Sequence, residues 1–375
     1  MVFMNDKIED NKRAATRLIE AFNNDDWDEV LAVTVSNYTL HHPLGGTISA
    51  GPEALINEWK QFKAALPDSW HPIPVMIADG NFVAVNLPTY GRFTGESHKG
   101  IKPTGKWLEY GMVNIVRLEE SKIAESWFGM DPLVEMQQMG MVPSFPTRKL
   151  KRNEKANIKL FQKTINVENK KFDNLTCFDD IVVACSPPQD EEDTTTRKTE
   201  IYQVKNKELK LIYSFEHTIN PPYSGDFSVD TESSRTIVKQ FFEEVLKEHN
   251  LSVLEKIASS NILVHPTAMP CEATYYGING VISWLNKQWK AFPDLTITDY
   301  FMVAQNDVVA IRWTAKGISK GKFLILKPSG KPVEFTGISM YRIEDDKIVE
   351  IWDTQNSFGI MRQINPKIGS GKHKH

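Results

Sequence analysis

The chain has 375 residues, 41% apolar and 25% charged, with a formal net charge of −4. That length suits two or three domains rather than one. The near-neutral charge gives no footing for a nucleic-acid or membrane-surface partner. Three cysteines (Cys177, Cys185 and Cys271) without ligand-like spacing argue against a disulfide framework and against a zinc site. The polar stretch 1–12 has no apolar leader region, and no window reaches the ~18–20 apolar residues of a membrane span, so a cytoplasmic protein is expected. The final GSGKHKH, 369–375, reads as a linker and tag.

An internal repeat sets the organisation. Lys102-Pro-Thr-Gly-Lys106 returns as Lys327-Pro-Ser-Gly-Lys331, and at the same offset Leu118-Glu-Glu-Ser-Lys-Ile123 returns as Ile343-Glu-Asp-Asp-Lys-Ile348. Glu125-Ser-Trp127 matches Glu350-Ile-Trp352, His42-Pro43 matches His265-Pro266, and Gln61-Phe-Lys-Ala matches Gln288-Trp-Lys-Ala. The expected units are a first copy at 8–142, a linking region at 143–230 and a second copy at 231–368.

Each copy opens with an amphipathic helix. Ala14, Leu18, Ile19 and Phe22 mark it in the first, and Ile237, Phe241, Phe242 and Val245 in the second. A short second helix carries Val30 and Val33, or Val253 and Ile257. A third runs over 52–64, or 278–291, and stops at a Pro-Asp turn. Strands are expected at 75–77, 82–93, 107–118 and 123–127, with counterparts at 297–303, 308–318, 333–343 and 348–352. Turns Glu119–Lys122 and Glu344–Lys347 suit tight hairpins. Between the copies, 156–164 and 178–184 read as helical. Ile201–Val204 and Leu209–Tyr213 read as a hairpin, either a shortened third copy or a structured linker.

The second copy (VHPTAMP, QWKAFPDL, KPSGKPVEFTGISMYRIEDDKIVEIWD) resembles the SnoaL-like polyketide cyclases, or ester cyclases, of the nuclear transport factor 2 and ketosteroid isomerase superfamily. The first copy is similar and more diverged. The resemblance implies an α+β class: tandem cone-shaped α+β barrels, each a curved, mostly antiparallel sheet with helices enclosing an apolar pocket. It also implies docking of the two copies sheet-to-sheet as an internal pseudo-dimer, leaving homodimerisation open. No cofactor and no metal are expected, and the partner would be a small apolar carbonyl-containing molecule.

In that family an acid/base aspartate stands four residues after the tryptophan of the last strand. The first copy matches with Trp127 and Asp131; the second has Asn356 after Trp352. The resemblance therefore makes Asp131 the catalytic group, with His41 and His42 beside it. A carboxyl group held in an apolar pocket has its pKa raised and can move a proton next to a carbonyl. Asp131 before Pro132 is equally a helix cap. Asp353 is expected to point to the opposite face by strand alternation. Trp59, Asn86, Tyr90, Tyr110, Asn114 and Trp127 are substrate-contact candidates in the first copy; His265, Trp352 and Asn356 mark the second pocket. His41 has no apparent counterpart in the second copy. The resulting function is a cyclase or isomerase. A non-catalytic binding or scaffold protein is the alternative, and an epoxide hydrolase using Arg92 or Arg117 a further one.

Overall fold

The computed structural model describes residues 2–43, 46–48, 51–98, 100–140, 152–165, 174–178, 181–186, 197–217, 223, 225–226, 228–266 and 275–368. The terminal 369–375 lies outside these, as do all but Arg197 of the polar segment 190–197, expected from its composition to be a loop, and all but Arg152 of the basic cluster 148–152, expected to be a solvated linker.

In the first copy, α1 (Val2–Asn23) and α2 (Trp27–Val33) lead into β1 (Thr34–His42) and β2 (Gly46–Ile48). Next come α3 (Pro52–Ala65), β3 (Val75–Asp79), β4 (Phe82–Asn86), β5 (Thr89–Arg92), β6 (Trp107–Tyr110), β7 (Met112–Glu119), β8 (Lys122–Met130) and α4 (Pro132–Met139). Its main sheet runs β2-β1-β8-β7-β4-β3, antiparallel except where β1 lies parallel to β8. The linking region contains α5 (Arg152–Thr164) and an antiparallel meander, β9 (Asn174–Phe178), β10 (Ile181–Ser186), β11 (Arg197–Lys205) and β12 (Glu208–His217).

The second copy repeats the plan with α6 (Thr231–Gln240), α7 (Leu254–Ile257), β13 (Ala258–His265), β14 (Tyr275–Tyr276), α8 (Gly277–Ala291), β15 (Thr296–Gln305), β16 (Val308–Ile318), β17 (Pro332–Glu344), β18 (Lys347–Gln355) and α9 (Ser357–Ile364). The sheet order β14-β13-β18-β17-β16-β15 is that of the first copy, again with the parallel pair, β13 and β18, inside. Both sheets are bent and open, with helices over one face.

Local chemistry explains the elements. Apolar residues of α1 at helical spacing, Ala14, Leu18 and Phe22, are buried against the sheet. Asp26 caps α2 by accepting from Glu29 N at 3.0 Å, and Pro52 starts α3 where no N–H is needed. The β7–β8 turn holds both Glu120 and Ser121 at positive φ, and the β17–β18 turn does the same with Asp345 and Asp346. Such turns match the right-handed twist of the strands they join.

Three expectations change. The stretch 107–118 divides at Gly111 into β6, paired with β5, and β7 of the main sheet. The stretch 82–93 is not one strand: Pro88 cannot donate to a ladder, and the chain breaks into β4 and a separate β5–β6 pair. Its counterpart β16, with Thr314 at that register, runs unbroken. The segment 178–184 is not helical but contributes to β9 and β10. Val182 and Ala184 alternate into a small core with Phe161 and Tyr202, the period of a strand.

The uncovered faces of the two main sheets pack against each other. Val75, Ile77, Val113 and Ile115 of the first copy meet Val303, Val308, Ile338, Met340 and Trp352 of the second in one apolar layer. Gly129 permits the closest approach, because a Cβ there would overlap the Val113 carbonyl and crowd the Ile338 side chain. Polar ties rim the seam: Ala78 N donates to Gln305 Oε1 at 2.9 Å, and Arg235 pairs with Asp79 at 2.6 Å. Each sheet thus has one face on this seam and one toward its own helices.

Candidate active site

The second copy contains a cavity between its sheet and helices, with about 550 Å³ of space free of atoms counted to its open mouth. Its wall is mostly apolar: Leu246, Trp284, Leu285, Trp313 and Phe335 contribute from helices and strands. The polar groups at the wall include Asp353, Ser339, Tyr341 and Gln288. An apolar cavity with a few convergent polar groups is the usual form of a small-molecule site.

Asp353 is its chemical centre. β18 carries it opposite Ser339 of β17, and the Ser339 hydroxyl donates to Asp353 Oδ1 at 2.5 Å. Ser339 Oγ in turn accepts from Trp313 Nε1 at 2.8 Å. Only 5% of Asp353 is exposed. Burial penalises its charged form and lifts the pKa from 3.8 to about 7, the Ser339 hydrogen bond opposes that, and the charge of Asp131 adds to it. The side chain is therefore shared between acid and base forms near neutrality. Tyr341 beside it is held protonated, burial raising its pKa well above the ordinary value. Gln288 Oε1 is buried without a hydrogen-bond partner among the described residues. Such an orphaned amide in a cavity wall suits a polar group on a bound molecule.

The alternation argument about Asp353 was sound, but its reference face was wrong. Trp352 faces the seam with Met340 and Ile338, so its neighbour Asp353 faces the cavity. In the first copy Trp127 likewise packs at the seam, 5.4 Å from the Phe301 ring, and Phe128 stands at the register of Asp353. The signal was legible: a strand residue changes from phenylalanine to aspartate between two copies otherwise alike. Ser339, Trp313, Tyr341 and Gln288 were also missed as site residues, because no motif marks them.

Asp131 does not line this cavity. It caps α4, accepting from Leu133 N at 3.1 Å, and lies against the start of α9 in the other copy. Burial raises its pKa to about 6, opposed by hydrogen bonds from the Ser357 side chain, Leu133 N, Ser357 N and Phe358 N. Asn356 mirrors it, capping α9 by accepting from Gly359 N at 2.7 Å and donating to the Pro43 carbonyl at 2.6 Å. Both are seam groups that fasten a helix start of one copy to the other. Asn356 thus stands at the seam and not at the wall of the Asp353 cavity.

The histidines also move. His41, not His42, holds the register of His265: each stands opposite a tryptophan, Trp127 or Trp352. His41 Nε2 lies 2.6 Å from Glu125, which also binds Arg117; His265 Nε2 lies 2.9 Å from Glu350, which also binds Arg342. His41 therefore has a counterpart, and with Nδ1 at 3.0 Å from Thr47 Oγ1 both its ring nitrogens are engaged. His42 points into the first copy, 3.1 Å from Glu58 and edge-on to Phe128.

The remaining candidates scatter. Trp59 packs edge-on against Phe22 between helices. Asn86 shares the seam-facing parity of Ala84, while Tyr90 lies beyond the Pro88 break between Trp70 and Trp107, so they do not form a pair. Tyr110 and Asn114 do face the first copy's own interior; Asn114 accepts from Gly129 N at 3.3 Å. Arg117 is committed to Glu119 and Glu125, and Arg92 lies over the Trp107 ring. No cluster of three or more metal-ligating side chains occurs among the described residues.

The sequence profile of the SnoaL-like polyketide cyclases matches residues 12–139 and again 236–364. The chain belongs to that family. The match falls twice, once on each copy, leaving the linking region unmatched. Solved structures similar to the chain include IdmH of Streptomyces antibioticus, a candidate polyketide cyclase, at 24% identity over 35% of this chain and 98% of that one, TM-score 0.32. A SnoaL-like candidate polyketide cyclase from Jannaschia sp. CCS1 gives 18% identity over 38% and 97%, TM-score 0.34. AclR of Streptomyces galilaeus, a candidate hydroxylase, gives 16% over 44% and 99%, TM-score 0.35. No curated protein matches the chain. Among the described residues no helix is long and apolar enough to cross a membrane.

Proposed function

We propose that the second copy of this SnoaL-like chain is a general acid/base catalyst, a cyclase or isomerase acting on a polyketide-like or terpenoid-like carbonyl compound, and that Asp353 moves the proton. The observation that carries this reading is a buried carboxyl group with a pKa of about 7 opening on an apolar cavity. The ionised Asp353 takes a proton from the carbon next to a carbonyl, leaving an enolate and a neutral carboxylic acid. In a ring closure the enolate carbon attacks a second carbonyl of the same molecule, and the new alkoxide takes the proton back from Asp353. In an isomerisation the proton returns to a different carbon of the conjugated system.

Ser339, fixed by Trp313 Nε1, orients the carboxyl group, and its hydrogen bond favours the ionised form needed at the start. The Gln288 amide and the Tyr341 hydroxyl are the polar groups available to the carbonyl oxygen. The apolar wall keeps water from protonating the enolate early. Every step uses groups of this chain alone. The first copy, with Phe128 at the equivalent register, then contributes architecture rather than proton transfer.

Turnover of small linear polyketones by Asp353→Asn and Asp131→Asn tests the assignment. Asp353→Asn loses about 10²–10⁴-fold in kcat, the contribution of a positioned acid/base group, while Asp131→Asn retains turnover. The reverse pattern overturns the assignment of Asp353. Ligands that bind unchanged, with no product from the wild type, favour a binding protein instead.

A further inference from the structure

A second opening lies on the seam, outside the catalytic cavity, and exists only because the two copies dock. It offers about 700 Å³ of space. The first copy supplies its side at His41, Thr47, Trp127 and Met130, and the second copy supplies Arg312, Thr336 and Ile338.

Most polar groups around it are already satisfied. His41 uses both ring nitrogens, on Thr47 and Glu125, and stacks flat on Trp127 with ring centroids 5.1 Å apart. The two oxygens of Glu125 are taken by His41 and Arg117. Asn356 spends its amide on Gly359 N and the Pro43 carbonyl, and the Thr354 hydroxyl donates to the Ile338 carbonyl at 2.8 Å.

Arg312 differs. It sits on β16 between Ile311 and Trp313, whose side chains enter the second copy's own core, so its guanidinium is turned to the seam. It is half-buried, and burial lowers its pKa; the charges of Asp299 and Glu125 act on it only at a distance. Among the described residues it has no hydrogen bond and no carboxylate within 4.0 Å. An arginine stays charged under all ordinary conditions, and a partly desolvated charge without a partner is costly. A planar guanidinium offers two parallel N–H donors, the match for a carboxylate. The space exceeds what an inorganic anion fills, and Trp127, Met130 and Ile338 give it an apolar side.

We propose that this seam cleft binds an organic carboxylate, its acid group on Arg312 and its apolar body against Trp127, Met130 and Ile338. The site does not include Asp353, and Gln355 borders both openings. Its ligand is an apolar acid rather than a phosphate, and it is read by both copies at once. The same chain would thereby accept a second small molecule without using its catalytic carboxyl group.

Calorimetric titration tests this with naphthalene-2-carboxylate and decanoate, against naphthalene-2-carboxamide and inorganic phosphate as controls. At least one carboxylate saturates the wild-type protein, while the amide and phosphate bind about 10-fold or more weakly. Arg312→Gln loses about 10-fold or more of that affinity and Arg312→Lys loses less, since the ammonium keeps the charge without the fork. Asp353→Asn binds as the wild type does. A crystal soaked with 6-bromonaphthalene-2-carboxylate shows bromine beside Trp127, a readout independent of how well either variant folds. Four outcomes each overturn the proposal: no saturation by either carboxylate, equal binding of the amide or of phosphate, undiminished binding by Arg312→Gln, or bromine in the Asp353 cavity. An inactive Asp353→Asn that still binds carboxylate separates this site from the catalytic reading.

Discussion

Replacing Asp353 with asparagine should make the protein more stable at alkaline pH while it removes turnover. The carboxyl group has a pKa of about 7 in the fold against 3.8 unperturbed. A raised acid favours the fold only when protonated, so its contribution is fully present below pH 3.8 and is lost as the pH climbs through 7. The difference of 3.2 units (7 − 3.8), at ~1.36 kcal/mol per unit, amounts to about 4 kcal/mol of strain at pH 8. Asparagine has nearly the same shape, keeps an oxygen to accept from Ser339, and carries no charge to desolvate. Urea unfolding of both proteins from pH 4 to pH 8.5 reads the effect. The curves should nearly coincide at pH 4, separate progressively up to about pH 7 and run level above it. The variant should lead by about 2–4 kcal/mol at pH 8, allowing for relaxation around the charge. An unchanged gap across this range, or a variant less stable at pH 8, would refute the claim that Asp353 is a desolvated acid.

Asp131→Asn keeps a capping oxygen but removes the negative charge that helps raise Asp353. The acidic limb of the rate profile, set by ionisation of Asp353, should shift to lower pH, as read from kcat/KM against pH. Ser339→Ala should shift that limb upward and lower stability by about 1–3 kcal/mol, because Trp313 Nε1 loses its acceptor inside the core. Gly337→Ala should cost about 3 kcal/mol in urea unfolding, since a Cβ there would overlap the Trp313 ring and the Thr354 carbonyl. His265→Ala should cost about 3 kcal/mol: the ring is fully buried on Glu350, and its loss strands part of a buried carboxylate. His41→Ala, whose side chain is 27% exposed in the matching arrangement, should cost about 1 kcal/mol or less in the same assay.

Two glutamines at matching places show what self-comparison of the copies can reach. Gln138 pairs with the backbone of Glu109, accepting at 2.8 Å and donating at 2.7 Å, and Gln363 does the same with Glu334 at 2.8 Å each way. A side chain serving as a missing strand partner must recur in both copies, and so it is visible as a repeat. The carboxyl group of the site was hidden for the opposite reason. It appears in one copy only, at a position where its counterpart Phe128 is simply core.

Sequence alone was enough to establish the duplication, the helix-then-meander order within each copy and the family. The first two follow from local periodicity, turn chemistry and self-comparison, and the family from the resemblance of its motifs, all carried along the chain. Which strand face is the inside could not be read that way. Alternation divides Trp352 from Asp353, but either face of an apolar strand can meet a helix layer or a second sheet. Only the packing of two uncovered sheets against each other turned the tryptophans to the seam. That same contact exposed Asp353 to the cavity, made Asp131 a link between helices and left Arg312 in a cleft shared by both copies.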